Sequence, residues 1–272
     1  MMTWIASMNC LPQSKGIFNM EKLENVKGDR QQQKSPLSFI KKLLIARWRE
    51  LLILFIGVYL PLQVFGLLAL EVWQHEGGFP WDVPILIAIH KTAQPQLDIF
   101  VLSLTKFGSF WTAIPIFSTI ALVLLLLKRW RSLAYVLTTT LGSAFINRTV
   151  KEFMHRVRPD LWESTAHELS YAFPSGHAMT SMTLVAVLVV LAWNTQWRWL
   201  VLIFGSLFVV AIGWTRLYLG VHFPSDILAG WMVALAWAIG VSLIIKPHLT
   251  KASIVSDEAP LDETSLLPEE TR

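Results

Sequence analysis

Long stretches without a charged side chain constrain this chain most. Leu51 to Leu70 and Phe107 to Leu127 contain no charge, and neither do Ala178 to Trp197, Trp199 to Thr215 and Ile227 to Ile245. Ser132 to Asn147 is a shorter run whose helix can continue past Arg148. A helix rises about 1.5 Å per residue, so about 20 apolar residues cross the hydrocarbon of a bilayer. A soluble core has no use for six such runs. The expected fold is therefore an all-α integral membrane protein with six transmembrane helices. Pro61 and Pro115 fall inside the first two spans, where neighbouring helices can satisfy the carbonyls they free.

Composition agrees. The chain of 272 residues is 54% hydrophobic and 15% charged, whereas soluble domains carry about 25% charge. The net charge of +4 reflects scarce acids rather than a dense basic stripe, which argues against nucleic acid as a partner. The single cysteine, Cys10, excludes an internal disulfide framework and a multi-cysteine zinc site. Many of the 13 tryptophans, Trp111, Trp197, Trp199 and Trp214 among them, fall near span ends, where indoles anchor at the interface.

The basic residues set an orientation. Lys34, Lys41, Lys42, Arg47 and Arg49 precede the first span, and Lys128, Arg129 and Arg131 follow the second. Arg198 lies after the fourth, and Lys246 and Lys251 after the sixth. The positive-inside rule puts both termini in the cytoplasm, with the first, third and fifth connections outside. The expected organisation is a polar cytoplasmic segment over residues 1–50, a six-span catalytic membrane domain over residues 51–246, and a cytoplasmic tail over residues 247–272. No cleavable signal peptide is expected, and residues 1–36 and 252–272 have loop composition. The tail contains Asp262-Glu-Thr-Ser-Leu-Leu267, resembling an acidic dileucine sorting signal, and Asn147-Arg-Thr149 fits a glycosylation pattern too near the membrane to be an acceptor. The long first connection holds a Gly77-to-Trp81 turn and two short surface helices, Val83 to Ile89 and Leu97 to Leu104.

Two outward connections concentrate polar groups. The third holds Lys151, His155, Arg156, Arg158, Pro159 and Pro174-Ser175-Gly176-His177; the fifth holds Arg216, His222 and Asp226. Two spans separate them, so both open on one side of the membrane. Cations there run against the positive-inside rule, and a bound phosphate would compensate them. Pro174-Ser-Gly-His177 stands before the fourth span, where a helix N-terminus presents unpaired N–H groups to an anion. Gly176 permits close backbone approach, and Ser175 either donates its hydroxyl or caps the helix. His222 and Asp226 share a helical face, or Pro224 starts the helix and Asp226 lies in its first turn. Either way the carboxylate can hold one imidazole nitrogen and leave the other to attack. His177 is then available as a general acid.

Singly, these residues have ordinary roles. Lys151 and Arg158 can snorkel to headgroups, Ser175 can be a plain cap, and Asp226 can complement a helix dipole. Their order, spacing and shared face argue for one site. His155 and Arg156 receive no role.

Lys151, six residues, Arg158-Pro159; then Pro174-Ser175-Gly176-His177; then Arg216, five residues, His222, three residues, Asp226: this series resembles the type 2 phosphatidic acid phosphatase family, which shares its site with vanadium haloperoxidases. The resemblance covers about Leu51 to Ile245. One departure is Thr215 before Arg216, where the family usually has serine; threonine keeps the hydroxyl. The resemblance implies that His222 is the nucleophile and forms a phosphohistidine, that Asp226 orients it, and that His177 protonates the leaving group. It implies that Lys151, Arg158 and Arg216 bind phosphoryl oxygens with Ser175 and Gly176 adding donors, and that water then releases phosphate. No metal or other cofactor is implied. The expected activity is hydrolysis of a lipid phosphate monoester or pyrophosphate on the extracytoplasmic side, with membrane lipids as partners. Transfer of the same phosphoryl group to another lipid, and a non-catalytic phospholipid-binding or transport protein, are the alternatives.

Overall fold

The computed structural model describes residues 45, 47–75, 78–162, 168 and 170–248. The expected segments at residues 1–36 and 252–272, with the Asp262–Leu267 motif, lie outside them, as does Gly77. The described residues form helices and connecting turns, with no strand among them.

The first helix, α1, runs Arg47–Gln74. It widens into a π-helical stretch, Phe55–Tyr59, just ahead of Pro61. Proline has no N–H to return to the carbonyl four residues back, and a local π turn is one way a helix absorbs that loss. Two short helices follow, α2 (Asp82–His90) and α3 (Pro95–Thr105), at the sites expected for surface helices. They are not loose on the surface. Val101 of α3 is fully buried against Tyr218, Leu219 and Val221. Asp82 is fully buried as well.

A 3₁₀ turn, Lys106–Gly108, leads to α4 (Phe110–Leu126), capped by the Ser109 hydroxyl, which accepts the Thr112 N–H. The chain bends by 43° here. The second apolar run thus begins its helix at Phe110 rather than at Phe107, because Ser109 adopts the extended conformation of an N-cap.

Helix α5 spans Trp130–Met154. Its 25 residues carry the third run straight past Arg148 to Lys151. Helix α6 (Gly176–Ala192) is shorter than its apolar run: the Thr195 hydroxyl and N–H both return to the Ala192 carbonyl, turning Trp193 to Trp197 out of the helix. Helices α7 (Arg198–Tyr218) and α8 (Pro224–Ile245) complete the described chain.

By length and composition α1, α7 and α8 can each cross a membrane, and the bent pair of α3 and α4 supplies a fourth crossing if counted as one span. Helix α6 is apolar but has 17 residues, and α5 carries Arg131, Arg148, Lys151 and Glu152.

Helix α8 packs against α1, α5 and α6, and α6 packs against α7 as well. Small residues allow the close approach that membrane helices need. A Cβ on Gly230 of α8 would lie 2.9 Å from the Ser175 carbonyl, so only glycine lets the start of α6 rest there. Polar pairs cross the interfaces: the Ser143 and Thr183 hydroxyls lie 2.7 Å apart, and Trp237 Nε1 donates to the Thr139 carbonyl at 3.1 Å. At the far end Arg131 Nε donates to the Ile245 carbonyl at 3.0 Å, and Ser132 to Pro247 at 3.1 Å, satisfying carbonyls that a helix end leaves open.

Candidate active site

The C-terminal ends of α5 and α7 and the N-terminal ends of α6 and α8 meet at one end of the bundle. His222 lies in the turn between α7 and α8, which is closed by Gly220 at φ +66°, a conformation that suits glycine. Helix α8 begins at Pro224, so Asp226 falls in its first turn and accepts the Phe223 N–H at 2.9 Å. His222 stands outside the helix.

The imidazole is buried between a carboxylate and a guanidinium. Asp226 Oδ2 lies 3.4 Å from His222 Nδ1, and Arg158 Nη1 lies 3.0 Å from Nε2. A guanidinium only donates, so Nε2 must accept, and the proton of a neutral ring then sits on Nδ1, facing the carboxylate. Burial pushes the imidazolium well below the usual histidine range, and Arg158, Arg216, Lys151 and His177 add repulsion in the same direction. His222 is thus a neutral base with its lone pair aimed at the cations.

Those cations are fixed. Arg158 donates from Nε to the Ser170 carbonyl and from Nη1 to the Val221 carbonyl, both at 2.7 Å. Lys151, at the end of α5, donates to the Tyr171 carbonyl. Arg216 is 2% exposed and donates to the Thr105 hydroxyl at 2.9 Å. Its neighbour Thr215 spends its hydroxyl on the Ile212 carbonyl, 2.6 Å away in its own helix. Ser175 is fully buried and caps α6, its Oγ accepting the Ala178 N–H at 3.5 Å. A Cβ on Gly176 would meet Asn147 Oδ1 at an ordinary 3.5 Å, so packing within the protein does not itself demand glycine there. Asn147 in turn donates to the Pro174 carbonyl at 3.3 Å.

Residues without a role in the sequence reading complete the site. Arg156 is buried between two carboxylates: Nη2 donates to Asp82 at 2.8 Å and Nη1 to Asp226 at 2.5 Å. Asp82 also accepts the Ser225 N–H at 3.0 Å and its hydroxyl at 2.6 Å. Asp226 is therefore held by the Arg156 guanidinium and the Phe223 N–H before it meets His222. Glu168 pairs with Arg216 at 2.5 Å and approaches Arg158 at 3.6 Å. Burial raises its carboxyl, but Arg216, Arg158 and His177 outweigh that and leave it below the usual carboxylate range. Spacing gave no signal for Asp82, Glu168 or Thr105. Arg156 lay inside the first motif, though at a position the motif leaves open.

A cavity of about 680 Å³ runs between α4, α5 and α6. Gly176, His177, Asn147 and Arg148 line it, with Phe117, Ala121, Val136 and Leu137 making its apolar length. Neutral imidazole, fixed cations and a helix N-terminus are the equipment to bind a tetrahedral anion and attack it.

Residues 132–249 match the PAP2 superfamily. Phosphatidylglycerophosphatase B of Bacillus subtilis (strain 168) is 32% identical over 158 residues, which cover 54% of this chain and 77% of that protein. The chain belongs to the PAP2 superfamily. It is also similar to the undecaprenyl-diphosphatase of Sulfolobus acidocaldarius, at 26% identity over 202 residues, 72% of this chain and 89% of that one. The crystal structure of a transmembrane PAP2 type phosphatidylglycerolphosphate phosphatase from Bacillus subtilis superposes with a TM-score of 0.63 at 26% identity, over 71% of this chain and 100% of that chain. The superfamily match spans α5 to α8 and so includes all three motifs, while Asp82 and Thr105 come from helices that precede it.

Proposed function

We propose that this PAP2 protein is an integral-membrane, metal-independent phosphatase that hydrolyses a lipid phosphate monoester or diphosphate through a phosphohistidine on His222. The observation that carries this reading is the 3.0 Å approach of Arg158 Nη1 to His222 Nε2, which puts a nucleophilic lone pair against a phosphate-binding cation. Lys151, Arg158 and Arg216 hold the phosphoryl oxygens, with donors from Ser175 and Gly176 at the start of α6. Arg216 Nε, buried without a hydrogen-bond partner among the described residues, is a further donor for them. The phosphoryl group takes over from Glu168 the neutralising of Arg216.

In the first step the Nε2 lone pair forms the N–P bond as the bond from phosphorus to the leaving oxygen breaks. His177 gives that oxygen its proton. Asp226, held by Arg156, stabilises the positive ring that forms. Water then attacks phosphorus, His177 takes its proton, and the N–P bond breaks to release phosphate.

A lipid substrate is favoured by the apolar cavity that begins at His177. Phosphatidylglycerol phosphate and undecaprenyl diphosphate, in the names of two relatives, fit such a site. The six runs support six spans, the fourth and third formed by α6 and α5, with the domain over residues 51–246. Basic residues support cytoplasmic termini and an extracytoplasmic site.

The test is a panel of lipid phosphates and pyrophosphates on detergent-purified protein, beside His222→Ala. Phosphate release from at least one lipid, lost in the variant, supports the reading. No release from any, with the variant behaving identically, defeats it.

A further inference from the structure

Arg148 lies outside every motif, and the mechanism above does not use it. It sits on α5 three residues before Lys151, one helical turn along the same side and about 4.5 Å deeper toward the bundle's centre. It lines the cavity that Gly176 and His177 open into, and its neighbours along α5 there include Leu141, Ala144 and Phe145. The side chain is exposed, and no hydrogen bond or ion pair engages it among the described residues. A cation in the wall of a lipid-facing apolar cavity is costly, and such residues mark the path of a charged ligand.

The neighbouring geometry says which part of a ligand would reach it. Asn147 ties α5 to the Pro174 carbonyl at 3.3 Å, so Arg148 is held beside the start of α6. A lipid whose reacting phosphoryl sits among Lys151, Arg158 and Arg216, and whose chain lies in this cavity, runs past Gly176, His177 and Arg148, which line it. The group that meets Arg148 is therefore the one next to the reacting phosphoryl. In a simple monoester that group is uncharged. In a lipid with two phosphates it is an anion.

We propose that Arg148 is a binding residue for a second phosphate group adjacent to the scissile one, and that it selects lipids carrying two phosphates over monophosphates. The proposal rests on the phosphatase reading above and names the substrate class within it. The second phosphate is either bonded directly to the first, as in a prenyl diphosphate, or separated from it by a glycerol, as in phosphatidylglycerol phosphate.

The test compares the full-length wild type with Arg148→Gln and Arg148→Lys on two matched pairs: farnesyl diphosphate with farnesyl monophosphate, and short-chain phosphatidylglycerol phosphate with short-chain phosphatidate. The readout is the ratio of kcat/KM within each pair. Arg148→Gln should lower that ratio by about tenfold or more in at least one pair, as expected for loss of a charge-assisted hydrogen bond, and Arg148→Lys should restore part of it. A fall confined to the first pair assigns the directly bonded phosphate, and one confined to the second assigns the glycerol-spaced phosphate. Equal losses on both members of each pair, or no loss, overturn the proposal while leaving the phosphatase reading intact. Wild-type protein that releases phosphate from none of the four overturns the proposal, and the phosphatase reading falls with it only when the wider lipid panel also gives no release.

Discussion

Arg158 and His222 meet with Nη1 and Nε2 3.0 Å apart, although they come from connections 64 residues apart in sequence. The contact fixes more than distance. Because the guanidinium has no acceptor, it selects the ring form protonated on Nδ1, the nitrogen that faces Asp226. A positive neighbour also opposes ring protonation, so Arg158 helps to keep the His222 ring uncharged.

Removing the ring or its charged surroundings should therefore act on the rate. His222→Ala should lower kcat/KM by about a thousandfold or more, and Arg216→Ala by about a hundredfold to a thousandfold, since each acts on bonding or charge in the transition state. Steady-state phosphate release on the best substrate of the panel measures both. A His222→Ala variant within tenfold of wild type contradicts the assignment.

Arg156 should matter for folding before it matters for chemistry. Its side chain is 2% exposed and that of each carboxylate partner, Asp82 and Asp226, is fully buried. Arg156→Met strands both carboxylates and should cost about 3–5 kcal/mol. Adding Asp82→Asn should return part of that loss, because one stranded charge is removed. Unfolding in detergent, followed for both single variants and the double variant, gives the coupling; purely additive losses contradict a direct pairing.

The role of Glu168 should show in anion affinity. It already neutralises Arg216 and approaches Arg158. Glu168→Gln removes a carboxylate that any incoming anion must displace, so inhibition by vanadate or inorganic phosphate should tighten by about threefold to tenfold. An unchanged or weaker inhibition constant contradicts competition for Arg216.

Much of this arrangement was legible in the chain, and the rest was hidden for definite reasons. Apolar runs located α1, α4, α5, α7 and α8 because burial in lipid demands sustained apolarity. They overran α6, where Thr195 turns the backbone through a local hydrogen bond that hydropathy does not register. The open question at Pro224 resolves to a helix that starts at the proline, which puts Asp226 rather than His222 in the first turn. Lys151, Arg158, His222 and Asp226 stood at recognisable spacings. Asp82 and Thr105 could not be found that way, because they reach Arg156 and Arg216 from α2 and α3, more than 70 residues upstream.

Stability should depend on pH through His222. Its folded pKa lies below the unfolded value of about 6.5, so the unfolded chain binds the proton first. The stabilisation is complete above pH 6.5 and is lost as pH falls toward the folded pKa. Apparent Tm in detergent should drop between pH 7.5 and 5.0, and His222→Gln should drop by less. An equal drop in both proteins contradicts a neutral buried ring.

Attack by an imidazole on a phosphoryl group held by Lys and Arg side chains calls for no metal ion. Activity should survive EDTA and be blocked by vanadate, which takes the five-coordinate shape of phosphorus in transfer. Strong dependence on added magnesium contradicts attack by histidine alone.

The most direct measurement is capture of the covalent species. Wild-type protein is mixed with lipid substrate labelled with ³²P in the terminal phosphoryl, quenched in alkali, where phosphohistidine survives, and digested for peptide mapping. The account predicts label on the His222 peptide at Nε2, and none there in His222→Ala. Turnover without label on His222, or label that persists on another residue in His222→Ala, contradicts it.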